Sequence, residues 1–284
     1  MFNYKNAFSR NIGWISEDEQ SKIENTQISI AGMGGVGGQY LISLVRMGFQ
    51  NFRIADFDFF EEHNFNRQYG ASTKTINKAK AETMLEIAKD INPNVNIELY
   101  KDGVNDENLE SFLKNIDIYI DGLDFFVLNI REKVFLKCAE MDIPAITVAP
   151  IGMGGSMLYF DKDSMSFEEY FSFPKESQLA EKLIYFISGL DPKMFHSEYM
   201  INKESFNFKD QKVSSNIAGI NMAAAIVGAN VFKLIAGRGD IVAAPNSLHF
   251  DAFLNNSLIV DLKEGNNNKN QQKTIEMLKS IYLK

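Results

Sequence analysis

Apolar residues gather in short β-branched runs that alternate with longer stretches of helical spacing. Ile28-Ser29-Ile30-Ala31 reads as a strand, the glycine turn Gly32-Met33-Gly34-Gly35-Val36-Gly37-Gly38 follows, and an apolar helix runs on to Gly48. Phe52-Arg53-Ile54-Ala55 then returns as a second strand ending at Asp56. Upstream, Phe8 to Glu24 is polar and partly helical, with Ser16 as its N-cap and Glu19 completing a capping box. Downstream, the spacing of Ala79, Met84, Leu85, Ile87 and Ala88 predicts a helix over Lys74 to Asp90, closed by Asn92-Pro93. Val95 to Tyr100 alternates as a strand, Asn105 to Lys114 predicts a helix, and Ile116 to Ile120 a buried strand. A helix over Val127 to Met141 and a strand over Ala145 to Ala149 continue the alternation, which implies right-handed crossovers and a parallel sheet.

The pattern changes from Ile151. Gly152-Met153-Gly154-Gly155 leads a strand to Phe160, and Asp161 to Ser215 is a polar and aromatic insertion with helices near Glu176 to Leu190. Its aromatics at Tyr170, Phe171 and Phe173 read as packing. Asn216 to Gly237 predicts a helix, followed by short strands near Ile241 to Ala243 and His249 to Phe253. Asn-rich Gly265 to Asn270 reads as a linker to a terminal amphipathic helix, Gln271 to Leu283. The fold class is therefore α/β, a Rossmann-like, doubly wound, mostly parallel sheet with an added C-terminal α+β portion. The expected organisation is a nucleotide-binding core over 1–160, an insertion over 161–215, and a C-terminal part over 216–284 that completes the same domain.

At 284 residues, with 45% hydrophobic and 23% charged positions, the chain has a globular composition. Its net charge of -8 weighs against a broad basic surface for nucleic acid. A single cysteine, Cys138, excludes an intramolecular disulfide and a multi-thiolate zinc cluster, and its apolar helical setting reads as inert packing. The first residues lack an apolar signal core, so a cytoplasmic location is expected. Ala218 to Gly237 is long and apolar enough to suggest a membrane span, but Asn221, Asn230 and Lys233 within it favour a buried helix.

The β-turn-α-β unit carries the chemistry. Glycines let the backbone approach a phosphate, amides at the helix start favour negative charge, and an acidic residue ending the second strand accepts from ribose hydroxyls. Asp56 stands about 20 residues past the glycines, where that role requires it. A nicotinamide-binding dehydrogenase would explain this much. It would leave the polar run Asn64, Asn66, Arg67 and Gln68 without a use, and those residues speak to phosphate chemistry. Lys78 and Lys80, early in a helix, oppose its dipole unless an anion is near; the plain alternative is solvated lysines. Asp121 and Asp124 follow a strand's carboxyl end, where either could hold magnesium through water or simply cap the next helix. His249 reads as structural.

With those residues laid out, the chain resembles the ThiF/MoeB/HesA superfamily, related to the adenylation domain of ubiquitin-activating enzymes. The resemblance covers most of Phe8 to Phe160 and returns weakly at Asn216 to Gly237. It aligns the family's leading arginine with Arg10, its glycine loop with Gly32 to Gly37, its ribose aspartate with Asp56, and its Asn-x-x-Arg-Gln motif with Asn64-Phe65-Asn66-Arg67-Gln68. Lys80 takes the place of the triphosphate lysine and Asp124 that of the magnesium aspartate. The resemblance implies ATP and Mg2+ as cofactors, held by Gly32, Gly34, Gly35, Gly37, Asp56, Asp58, Asn64, Arg67 and Lys80, with Asp124 on the metal. Arg10, Arg67, Lys80 and Asp124 would be catalytic, and a homodimer would bring Arg10 into the neighbouring subunit's site. The implied activity is ATP-dependent adenylation of a carboxylate on a small ubiquitin-like or sulfur-carrier protein, a peptide or a small acid. A tRNA-modifying dehydratase and a non-catalytic nucleotide binder are the family's alternatives. The chain departs from many relatives in lacking paired Cys-x-x-Cys motifs and a thioester cysteine, and in carrying Phe125 after Asp124.

Overall fold

The computed structural model describes residues 2–202 and 211–283. The chain divides into two compact units, Met1–Leu123 with Ala224–Ile241, and Asp124–Ala223 with Val242–Lys284.

The first unit runs α1 (Tyr4–Ala7), α2 (Glu17–Asn25), β1 (Gln27–Ala31), α3 (Gly35–Met47), β2 (Asn51–Ala55), α4 (Lys80–Ile91), β3 (Asn96–Tyr100), α5 (Leu109–Leu113) and β4 (Ile118–Asp121). Its strands are parallel in the order β3-β2-β1-β4, with Ile30 opposite both Ile54 and Ile120. Such strands are covered on both faces and read as continuous apolar runs; Ile28, Ile30, Ala31, Ile54, Ile118 and Ile120 are all buried. Because β2 leaves β1 on one side and β4 pairs on the other, the order reverses at β1, and crevices for ligands form at such a reversal. α2 opens on the expected capping box, Ser16 Oγ accepting from the Glu19 amide at 3.1 Å and the Glu19 carboxylate from the Ser16 amide at 2.8 Å. α3 ends at Gly48, whose φ of 104° is the left-handed conformation that suits glycine at a helix terminus.

The helix expected from Lys74 begins only at Lys80. Asn77 is left-handed, at φ 61°, and Phe59 bridges Ala79, so Asn77 to Ala79 pairs with the loop after β2 while Thr75 and Ile76 turn back onto Ser72, instead of coiling. α5 is likewise shorter than its pattern, because Asn105 and Asn108 side chains tie their own backbone into a turn before Leu109.

The second unit contains α6 (Leu128–Glu140), β5 (Ala145–Ile151), β6 (Gly154–Phe160), α7 (Phe167–Phe171), α8 (Leu179–Leu190), the first residues of α9 (Ile217–Ala236), β7 (Asn246–Asp251), β8 (Asn256–Asp261) and α10 (Lys269–Tyr282). Its strands are antiparallel in the order β5-β6-β7-β8, the α+β portion of the expected fold. Ile241 to Ala243 is not a strand; the Ala244 amide donates to the Tyr159 carbonyl at 2.9 Å, and pairing starts at Asn246. The Asn-rich stretch is no loose linker. Asn266 is buried and its amide donates to the carbonyls of Phe171 and Tyr185 at 2.9 and 2.8 Å, anchoring a short 3-10 turn before α10. Tyr170 and Phe171 are packing residues, fully buried, as is Cys138. His249 is buried too, with Nε2 2.7 Å from Ser247 Oγ, and burial pushes its pKa down. α9 is long and apolar enough to cross a membrane, and half of its most apolar window is buried. Residues 203–210 of the expected insertion lie outside the described residues.

Candidate active site

The crevice at the end of β1 is built by close backbone approach. Gly32 has φ 88°, and a Cβ there would meet the Gly122 carbonyl oxygen at 2.2 Å; a Cβ on Gly37 would meet the Gly32 oxygen at 1.8 Å. α3 opens at Gly34 with no side-chain cap, so its first amides are left for a ligand. Asp56 latches this turn. Its Oδ2 accepts from the Met33 amide at 2.6 Å and its Oδ1 from the Asp58 amide at 2.8 Å. Burial raises the Asp56 pKa, and the two amides and Lys80 oppose that rise. Each carboxylate oxygen keeps a second lone pair for a ribose hydroxyl.

The polar run after β2 folds as a cap on itself. Asn64 is buried, its Oδ1 accepts from the Glu61 amide at 2.9 Å, and its carbonyl accepts from the amides of Arg67 and Gln68. Asn64 thus shapes the loop, with Arg67 held by Nη1 donating to the His63 carbonyl and to Asn66 Oδ1, both at 2.9 Å. Lys80 is buried at the first position of α4, with Nζ 3.0 Å from Asp58 Oδ2. One chain of contacts therefore joins Lys80, Asp58, Asp56 and the glycine turn. Gln68 belongs to the same place. It is buried, its Nε2 lies 3.6 Å from where a Cβ of Gly34 would sit, and its Oε1 has no partner among the described residues. In the sequence it is only one member of a polar run; a buried amide beside the glycine turn, with its oxygen unpaired among the described residues, is visible in three dimensions alone.

Arg10 is exposed in a 3-10 turn, Ser9–Asn11, on a firmly anchored segment. Asn11 Nδ2 donates to Gln20 Oε1 and the Met47 carbonyl, and Arg238 binds the Glu19 carboxylate and the Trp14 carbonyl. Arg238 and the capping amide hold Glu19 at about 2, down from 4.5. A carboxyl with a lowered folded-state pKa stabilises above its unfolded value and loses that contribution as pH falls through the folded one. Glu19→Gln should therefore lower the melting temperature at pH 7, with the difference from wild type closing between about pH 4.5 and 2. A gap that does not change with pH would rule out this pair as its source.

Asp124 lies in the second unit and is exposed. Its Oδ1 accepts from the Phe126 amide at 3.0 Å and so closes a turn ahead of α6, whose N-cap is Val127 with no side-chain cap, and its other oxygen accepts no hydrogen bond among the described residues. No cluster of three or more His, Cys, Asp or Glu suited to a metal occurs among the described residues. A lone exposed carboxylate fits Mg2+ all the same, since that ion keeps much of its water and takes one or two carboxylates with phosphate oxygens. Asp121 is different: buried, it accepts from Tyr119 Oη and the Leu123 amide.

The sequence profile of the ThiF family matches residues 8–273. The chain belongs to the ThiF family. Among curated relatives, this ThiF-family chain is 31% identical over 156 residues to the tRNA threonylcarbamoyladenosine dehydratase of Haemophilus influenzae, a match covering 54% of this chain and 58% of that protein. It is 30% identical over 146 residues to the molybdopterin-synthase adenylyltransferase of the same organism, covering 51% of this chain and 59% of that protein. The matched region is thus less than two thirds of either relative. The crystal structure of Escherichia coli MccB with ATP superposes with a TM-score of 0.65 at 18% identity, over 86% of this chain and 65% of that one, and shows the same fold.

Proposed function

We propose that this chain binds ATP on its first unit and transfers the adenylyl group to a carboxylate. The observation that carries this is the buried Lys80 at the start of α4, a place where a helix dipole repels a cation, joined through Asp58 and Asp56 to the glycine turn. A carboxylate oxygen attacks the α-phosphorus, the bond to the bridging oxygen breaks, and pyrophosphate leaves with an acyl-adenylate formed. The attacking group is already ionised at neutral pH, so no general base is needed. Lys80 and Arg67 meet the charge that builds on the phosphoryl oxygens, and Arg10 does so from the second copy of a homodimer. Asp56 takes the ribose, with Asp58 releasing Lys80 to the phosphates. Asp124, on the second unit, would hold Mg2+, which would supply further positive charge.

The acyl substrate is the C-terminus of a small ubiquitin-like or sulfur-carrier protein, a peptide or a small acid. Cys138 is 1% exposed within α6, so the activated acyl group passes to an acceptor without a thioester on this chain. The similarity to a tRNA threonylcarbamoyladenosine dehydratase favours one second reading, a carboxylate carried on a modified base. Pyrophosphate–ATP exchange decides between them. Exchange that appears only on adding a carrier protein, a peptide or a small carboxylic acid is the expected result; exchange driven only by tRNA selects the second reading, and no exchange with any carboxylate overturns both.

A further inference from the structure

Arg131 is 2% exposed in the second unit, one turn into α6. Burying a guanidinium is costly unless its donors are met. Here Nη1 donates to the Val127 carbonyl and Nη2 to the Asp124 carbonyl, each at 3.1 Å. The guanidinium also lies 4.8 Å from the centroid of the Phe186 ring on α8. Both carbonyls belong to the turn that leads from Asp124 into α6. The arginine therefore grips the main chain on either side of Phe125-Phe126, while the Phe126 amide fixes Asp124 Oδ1 at 3.0 Å. Lysine could not make the same planar two-carbonyl grip.

We propose that Arg131 is a positioning residue for the Asp124 carboxylate, fixing the turn so that its remaining oxygen is preorganised for a divalent metal. The inference rests on the reading of Asp124 as the metal carboxylate. Groups that orient a metal ligand typically change metal affinity about 10- to 100-fold when replaced.

Mn2+, an EPR-visible stand-in for Mg2+, is titrated in the presence of ATP into wild type, Arg131→Lys and Asp124→Asn, with metal-free ATP affinity and thermal unfolding measured alongside. The expected result is Mn2+ binding weakened about 10- to 100-fold in Arg131→Lys, with metal-free ATP affinity unchanged. A merely structural arginine would lower both together. Wild-type Mn2+ affinity in Arg131→Lys alone overturns the inference and leaves the reading of Asp124 standing; wild-type affinity in Asp124→Asn overturns that reading and the inference with it. Should Arg131→Lys not unfold cooperatively, Phe186→Leu takes its place. Removing the ring beneath the guanidinium should weaken Mn2+ binding roughly two- to fivefold, and wild-type affinity there overturns the proposal.

Discussion

Replacing Lys80 with alanine is expected to lower pyrophosphate exchange about 100- to 1000-fold while moving the melting temperature by no more than about 4 °C. The two effects separate because the fold gains little from this residue. Lys80 is the first residue of α4, where a positive charge opposes the helix dipole, and its partner Asp58 has a side chain 55% exposed. A pair with one partner more than half exposed is screened by water on that side and is worth about 1 kcal/mol. Bound triphosphate, by contrast, places charge beside a lysine already buried next to the glycine turn, which needs only to exchange Asp58 for a phosphate oxygen. Exchange rates and a thermal melt on the same preparation check both halves. Exchange within threefold of wild type would remove Lys80 from the site, and a melting point lower by tens of degrees would assign it to folding.

The second large effect falls on stability. Gly37→Ala should cost about 3 kcal/mol or more, because the added methyl would lie 1.8 Å from the Gly32 carbonyl oxygen and 2.9 Å from its carbon. Neither atom can give way easily. Gly32 is itself confined at φ 88° with no room for a side chain against Gly122, so the three glycines form one contact between the ends of β1 and β4 and the start of α3. Gly34→Ala is the contrast, since its methyl would meet Gln68 Nε2 at an ordinary 3.6 Å. Denaturant unfolding of the two variants should show a much larger loss for Gly37→Ala; equal losses would mean that the glycine contact is not what holds the turn.

Local chemistry made the first unit legible. The capping box at Ser16 and Glu19, the apolar run of β1, the glycine turn and the Gly48 stop are each written in a few neighbouring residues. Features decided by distant partners were not. Lys74 to Ala79 has helical spacing, yet the loop after β2 claims its backbone through Phe59 and Phe60. Asn266 looks like a linker residue until Phe171 and Tyr185, far away in sequence, are seen to take its amide. Within the site, Asp56 could be chosen from its place after β2, whereas its use of both oxygens to hold the amides of Met33 and Asp58 could not. Asn64 shows the limit of reading a motif, for its side-chain oxygen caps its own loop.

Calorimetric titration of the wild-type chain with ATP and NAD, each with and without magnesium, shows which nucleotide the glycine turn and Lys80 are built to hold. The expected result is binding of ATP that strengthens with magnesium and falls sharply in Lys80→Ala, with NAD far weaker. Preference for NAD, or ATP binding indifferent to Lys80, would contradict it.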